Sequence, residues 1–330
     1  MGASLRPSVP NRLGSGSCGA KSIWLRVADM HSSTSRFARA VRRLNALCDV
    51  QPYVTGWCLI GLPDGGPDGA RAGGMRADRH GTRAFPAAST RKVAVMMAAL
   101  RAVHRGELDL DARVTIDGRY RDRVFTGLLQ HLEPGLSLSL RDALTLMIIQ
   151  SDNLSTAHVL DLVGLDAVND LCAAAGLDGT RHRHALIPEL APDHPVDASN
   201  VTTPGDQARL LELIVRGSTA GGDTGGEANR LLGCPPRLCS FALDVLCRQQ
   251  FRDTLPAFLP YGTKIAHKSG AGWRDVSDGG VFFGDDGPRY VLAVYTDELP
   301  AVLPDGLPGF SGARVHIAHL SRACWEEMHP

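Results

Sequence analysis

The stretch Phe85-Pro86-Ala87-Ala88-Ser89-Thr90-Arg91-Lys92-Val93-Ala94-Val95-Met96-Met97 decides the reading of this chain. Past the proline, Val93, Met96, Met97 and Leu100 recur at helical spacing, which predicts a helix that opens near Ser89 and continues through His104. A spacing of three puts Ser89 and Lys92 on one face, one turn apart, where an amine can reach a hydroxyl. Serine is a weak nucleophile until a base takes its proton, and a lysine deprived of water can be that base. A helix start adds backbone N–H groups and the positive end of the dipole, both of which favour negative charge developing during attack. On its own the pattern is common, and an ordinary solvated first turn carries it as readily.

Working outward, the middle of the chain reads as helices. Leu140 to Gln150, Leu154 to Val163, Ala167 to Ala175 and Pro204 to Val215 all have helical spacing, several opened by Ser, Thr or Asp. Both ends carry strand character: Tyr53 to Leu62 on one side, then Lys264 to Lys268, Val276 to Phe283 and Tyr290 to Thr296 on the other. Flanking helices are expected at Ser35 to Cys48 and Ala313 to Glu327, and Gly217 to Gly226 reads as a flexible surface loop. The expected organisation is a disordered leader over 1–34, with Met30 as an alternative start, an α/β domain made of 35–84 and 225–330, and an all-α domain over 85–224 inserted between them. The fold class is therefore α/β plus all-α.

Two further polar motifs follow the first in order. Ser151-Asp152-Asn153 lies between two predicted helices, where a tight turn can aim a hydroxyl and an amide into a cleft or simply cap a helix. Lys268-Ser269-Gly270-Ala271-Gly272 lies on a predicted strand, where small residues let a substrate approach the backbone and the lysine can anchor an anion.

Together the three motifs resemble the S-x-x-K, S-D-N and K-T-G signature of class A β-lactamases and penicillin-binding proteins, with Ser269 in place of threonine. Gly106 to Asp111, Leu140 to Leu144, Thr202-Thr203-Pro204 and Tyr290 to Tyr295 resemble class A stretches too, and the resemblance spans roughly residues 45 to 325. It implies a β-lactamase/transpeptidase-like fold, an antiparallel sheet flanked by helices with an inserted helical domain. It also implies roles. Ser89 forms an acyl-enzyme, Lys92 takes its proton, Ser151 relays a proton to the leaving group and Asn153 positions the substrate. Lys268 and Ser269 bind a substrate carboxylate, and the backbone N–H groups of Ser89 and Ala271 form the oxyanion hole. The implied activity is hydrolysis of a β-lactam, amide or ester.

One departure qualifies that activity. Class A β-lactamases carry a Glu-x-x-x-Asn pattern on a loop after the S-D-N helices, and the glutamate activates the deacylating water. Here the stretch reads Ala185-Leu186-Ile187-Pro188-Glu189-Leu190-Ala191, which aligns Ile187 with the glutamate and Ala191 with the asparagine. Glu189 is a substitute base if the loop is shifted, as are Asp193 and His184. Without one of them the rival reading is a non-hydrolytic penicillin-binding or regulatory protein, or an acyl transferase using Lys92 in both half-reactions.

Bulk composition agrees with an enzyme acting on a small molecule. Lys+Arg and Asp+Glu both number 35, so the chain lacks the basic footprint expected of a nucleic-acid or anionic-membrane binder. Its apolar runs are shorter than the roughly 20 residues of a membrane span, and residues 1 to 30 do not read as a secretory signal. The 8 cysteines show neither C-x-x-C pairs nor metal-ligand spacing, so no metal and no cofactor is expected, and reduced thiols suit a cytoplasmic protein. Gly14 to Gly19 mimics a dinucleotide motif but follows no strand, and His182-Arg183-His184 reads as a polar loop rather than a metal site.

Overall fold

In the computed structural model the described residues are Met1, 36–62, 74–186, 188–191, 193–222 and 225–329. Alternation along β1 (Val54–Gly61) separates two cores: Cys58 and Ile60 point into one, Trp57 and Leu59 into the other. Strand β9 (Gly287–Asp297) repeats the division, with Val291, Ala293 and Tyr295 on one face and Tyr290, Leu292 and Val294 on the opposite one. Period two on strands buried on both sides means that helices must cover each face.

The sheet has the order β2 (Arg76–Arg79), β1, β9, β8 (Val276–Gly284), β7 (Ile265–Ala271), and every pairing is antiparallel. Its outer face is covered by a helix over 36–49, α1, and by α9 (Gly309–Met328), whose Ala313, Ile317 and Leu320 share a core with Phe37, Ala40 and Leu44. The inner face is covered by helices that form the larger core. These are α2 (Lys92–His104), α3 (Leu140–Ile149), α4 (Asn153–Val163), α5 (Leu165–Ala174), α6 (Pro204–Thr219), α7 (Glu227–Leu232) and α8 (Pro236–Cys247). That core draws on residues from both stretches the sequence reading separates. No described helix is long and apolar enough to cross a membrane.

The expected helices and strands are present, with two differences. The segment expected as a loop from Gly217 begins inside α6, which runs to Thr219. Gly217 is buried there, and a Cβ on it would sit 2.7 Å from Cys239 Sγ, so close packing of α6 on α8 requires the glycine and keeps the helix going. Short ladders also escaped the sequence pattern: β3 (Phe85–Pro86) pairs with β6 (Val201–Thr202), and β4 (Arg113–Ile116) with β5 (Leu136–Ser139). The first of these joins the chain just before Ser89 to the end of the loop that carries Glu189.

Candidate active site

Ser89 lies in a 3₁₀ turn, Ala88–Arg91, that precedes α2 rather than in the α-helix itself. The turn is pinned from three sides. Tyr295 Oη on β9 donates to Thr90 Oγ1 at 2.7 Å, and Thr90 Oγ1 donates to Ala87 O at 2.6 Å. The Ala87 N–H donates to Asn200 O at 2.8 Å. Behind Ser89, Gly270 of the edge strand β7 approaches so closely that a Cβ there would lie 3.0 Å from Ser89 N and 2.8 Å from Ser277 Oγ. Ala88 has a φ of 40°, a left-handed conformation that non-glycine residues adopt at a cost, and one kept where surrounding contacts over-determine the backbone.

The Ser151-Asp152-Asn153 turn is built the same way. Ser151 has a φ of 51°, which reverses the chain between α3 and α4. Asp152, fully buried, caps α4 by accepting from Ser155 N at 2.8 Å and ties in the segment before α3 by accepting from Leu129 N at 2.9 Å. The Asn153 N–H donates to Thr126 O at 2.9 Å.

Lys92 joins the two turns. Its Nζ lies 2.6 Å from Ser151 O, 2.7 Å from Asn153 Oδ1 and 3.0 Å from Ser151 Oγ, and the residue is 1% exposed. Ser89 is not among these partners, so the amine rests against the Ser151 turn. All three partners are neutral oxygens. Burial therefore lowers the Lys92 pKa well below that of an ordinary lysine, and the positive charges of Lys268 and Arg91 lower it further, against a smaller raising effect of Asp152. A neutral amine matches the contacts as well as an ammonium does: it donates to Ser151 O and Asn153 Oδ1 and accepts from Ser151 Oγ–H.

Lys268 is equally buried, its Nζ turned back onto Ser269 O at 2.6 Å, and burial pushes its pKa down to about 7. Asp275, at the β7–β8 turn, moves the other way. Burial, with the charge of Asp297, raises its carboxyl to about 8 against the lowering effect of Arg274.

Ser89, Lys92, Ser151, Asn153, Ser269, Ala271 and Asp275 line one cleft of about 780 Å³, whereas the buried Lys268 does not line it. Glu189 does not line it: its neighbours Pro188 and Leu190 do, while Glu189 itself is exposed. Ile187 lies outside the described residues, and Ala191 is exposed. Of the other candidate bases, Asp193 is exposed, and His184 is turned to the carbonyl of Ala198 at 2.9 Å. His182, expected on a polar loop, is buried, and burial lowers its pKa to about 3.

The structure also brings forward residues that no motif marked. Arg91, the third residue of S-x-x-K, is buried and donates from Nη1 to His184 O at 2.7 Å and from Nη2 to Ala185 O at 2.6 Å, so the nucleophile turn holds the Glu189 loop directly. His194 lines the cleft and donates from Nδ1 to Pro195 O at 2.8 Å, which leaves Nε2 as the acceptor of the neutral ring. Its carbonyl accepts from Arg274 Nη1 at 2.7 Å. No spacing rule links His194 to the motifs, and Arg91, set among Ser89, Thr90 and Lys92, does not stand out in the sequence from an ordinary polar helix start.

Residues 42–328 match the family model described as "Beta-lactamase enzyme family". Among solved structures, a beta-lactamase from Sphaerobacter thermophilus is 27% identical with a TM-score of 0.70, over 88% of this chain and 97% of that one. PBP-A is 26% identical with a TM-score of 0.67, over 87% of this chain and 94% of that one. A point mutant of PBP-A, also 26% identical with a TM-score of 0.67 over 88% of this chain and 96% of that one, is described as an acyl-enzyme complex with penicillin G. None of the curated proteins matches the chain.

Proposed function

We propose that this chain, which belongs to the beta-lactamase enzyme family, is a serine hydrolase that forms an acyl-enzyme on Ser89 and hydrolyses a β-lactam, amide or ester. The observation that carries the reading is the buried Lys92 amine, held one turn from Ser89 by neutral oxygens alone. A neutral amine there is a base. It exchanges a contact with the Ser151 turn for the Ser89 hydroxyl and takes its proton as the Oγ–carbon bond forms. In this reading the N–H groups of Ser89 and Ala271 receive the developing oxyanion, with Gly270 between them packed close to Ser89 N. As the carbon–nitrogen or carbon–oxygen bond breaks, the proton passes from Lys92 through Ser151 Oγ to the leaving group. Water then attacks the ester in the second half-reaction.

A carboxylate on the substrate fits the charge of the site. Lys268 is buried beside Ser269 with its pKa lowered to about 7, so an incoming anion favours its ammonium form, while burial and the charge of Asp297 hold Asp275 toward its protonated form. Because Lys268 Nζ is turned onto Ser269 O, the carboxylate is received at Ser269 with Lys268 behind it. A cytoplasmic location is the one we propose, on the lack of C-x-x-C pairs and of metal-ligand spacing among the 8 cysteines.

A second reading is favoured by the exposure of Glu189 outside the cleft: a protein that acylates but releases its acyl group slowly, as a penicillin-binding or regulatory protein, or passes it to an acceptor other than water. Incubation with a fluorescent penicillin or a fluorophosphonate, followed by intact mass, tests the nucleophile. One adduct on wild type and none on Ser89→Ala is expected. A wild-type protein that takes up no label at Ser89 contradicts both acylating readings.

A further inference from the structure

A buried carboxylate lies directly behind the strand that carries Lys268 and Ser269. Alternation along β7 puts Ile265 in the outer core and Ala266 in the inner one, so His267 and Ser269 fall on the outer face and Lys268 on the inner. On β8, Asp278 pairs in register with Ser269, and Gly280 with His267. The glycine makes room for the imidazole, since a Cβ there would lie 3.0 Å from His267 Cβ. Asp278 is fully buried and collects three donors: Thr254 Oγ1 at 2.6 Å, His267 Nδ1 at 3.0 Å and Leu255 N at 3.3 Å. Thr254 lines the cleft, as Ser269 does, so this cluster reaches the same end of the site from behind.

None of the three donors is a permanent cation. His267 is fully buried and its Nε2 has no partner, so a second proton on the ring would find no acceptor, and the imidazole serves Asp278 as a neutral donor rather than as a counter-ion. A carboxylate that accepts three hydrogen bonds is favoured in its charged form, and in a buried site its field reaches further than in water. Lys268 follows His267 in the chain, and its amine contacts a neutral group, Ser269 O. The sheet stands between Lys268 and Asp278, so the two act at a distance and not as a hydrogen-bonded pair. The other charges near β7 do not replace Asp278. Arg91 and Lys92, from the turn packed on β7 and the start of α2, are basic, and Asp244 of α8 is exposed. The charge of Asp278 is the one that favours the Lys268 ammonium against burial.

We propose that Asp278 is a positioning residue for the cleft: from behind the strand it keeps Lys268 an ammonium beside Ser269, and so lets that end of the cleft receive a substrate carboxylate. The link to substrate rests on the reading of Ser89 as the nucleophile, whereas the coupling of Asp278 to Lys268 does not.

The chain has 4 lysines, Lys21, Lys92, Lys264 and Lys268, so carbon-13 labelling of lysine gives a spectrum in which the Lys268 Cε signal is assigned by its loss in Lys268→Arg. Its titration, expected at about pH 7 in the wild type, should move down by about 1 pH unit in Asp278→Asn, because the charge that favours the ammonium is gone. His267→Gln keeps a neutral donor to the carboxylate and should leave the titration within about 0.3 pH unit. At pH 7 the ammonium fraction then falls in Asp278→Asn from about a half to about a tenth. Acylation by benzylpenicillin, which carries a carboxylate, should slow about fivefold, while a fluorophosphonate, which carries none, labels Ser89 within about threefold of the wild-type rate. An unmoved Lys268 signal in Asp278→Asn overturns the assignment, as does an equal move in both variants, which would make the cluster a structural one. Equal slowing of the two probes overturns it too. A moved signal in a protein that neither probe labels keeps the coupling and rejects Ser89 as the nucleophile. Should Asp278→Asn not fold, Asp278→Ser is measured in its place; if neither folds, the carboxylate holds the strand rather than the charge, and the assignment falls.

Discussion

Asn153 Oδ1 lies 2.7 Å from Lys92 Nζ in a site where the lysine is 1% exposed, so the charge on residue 153 sets the protonation of the base directly. The amine is basic only when neutral, and that form is lost as pH falls through its pKa. Burial and the charges of Lys268 and Arg91 hold that pKa well below the ordinary value, so acylation should persist far below pH 10.5. Asn153→Asp places a carboxylate against the amine, favours the ammonium and should move the acid limb of the labelling rate up by about 1–3 pH units. Fluorophosphonate labelling rates across pH measure this, and an unmoved limb would reject Lys92 as the titrating base.

Gly270→Ala tests the close approach of β7 to the nucleophile turn. The added methyl would meet Ser89 N at 3.0 Å, Ser277 Oγ at 2.8 Å and Ala88 Cβ at 3.1 Å, so strand and turn must separate by several tenths of an ångström. Displacement of the oxyanion donors should lower kcat/KM by about 100-fold while thermal stability changes little. A variant with full activity would show that the two elements have room to adjust.

How much of this was legible in the sequence differs from residue to residue. Motif order and strand alternation located Ser89, Lys92, Ser151 and Lys268, because a 3.6 or 2.0 period is written into neighbouring residues. The 3₁₀ conformation at Ser89 was not legible. It follows from Tyr295 and Asn200, which are distant in sequence and hold the turn by hydrogen bonds. The two-residue ladder of Phe85 and Pro86 with Thr202 and Val201 is too short to leave a periodic trace. Orientation along the 188–190 stretch was equally hidden, since Pro188 and Leu190 face the cleft by virtue of contacts that local pattern does not encode.

Arg91 offers a separable test of the loop anchor. Its two hydrogen bonds to carbonyls combine a fixed fork with a buried charge. Arg91→Met removes both. Amide exchange of residues 182–186 should then quicken at least about tenfold, since a hydrogen bond to a charged group contributes about 1.5–3 kcal/mol. The acid limb of labelling should also move to higher pH, because a positive charge beside Lys92 is gone. Arg91→Lys keeps the charge without the fork, so it should restore the limb and not the protection. If both variants behave alike in both measurements, charge and anchoring are not distinct roles.

The last prediction concerns release of the acyl group. Glu189 is exposed and outside the cleft lining, while Pro188 and Leu190 face inward, so the loop presents apolar groups to an ester on Ser89 where a general base is needed. Loss of such a base typically costs about 10²–10⁴-fold in rate. Acylation by benzylpenicillin should therefore be fast and deacylation slow, and an adduct should persist for about minutes or longer in time-resolved mass spectrometry. Glu189→Gln should change its lifetime by less than about twofold, since an exposed carboxylate outside the cleft does not reach the water. His194 lines the cleft with Nδ1 bound to Pro195 O, so His194→Gln separates the two sources of residual turnover. A lifetime lengthened by His194→Gln and not by Glu189→Gln identifies the imidazole as the group that activates water. Rapid loss of the adduct, slowed by Glu189→Gln, would instead mean that the loop shifts on acylation to bring Glu189 onto the ester, and would make the protein an efficient hydrolase of penicillins.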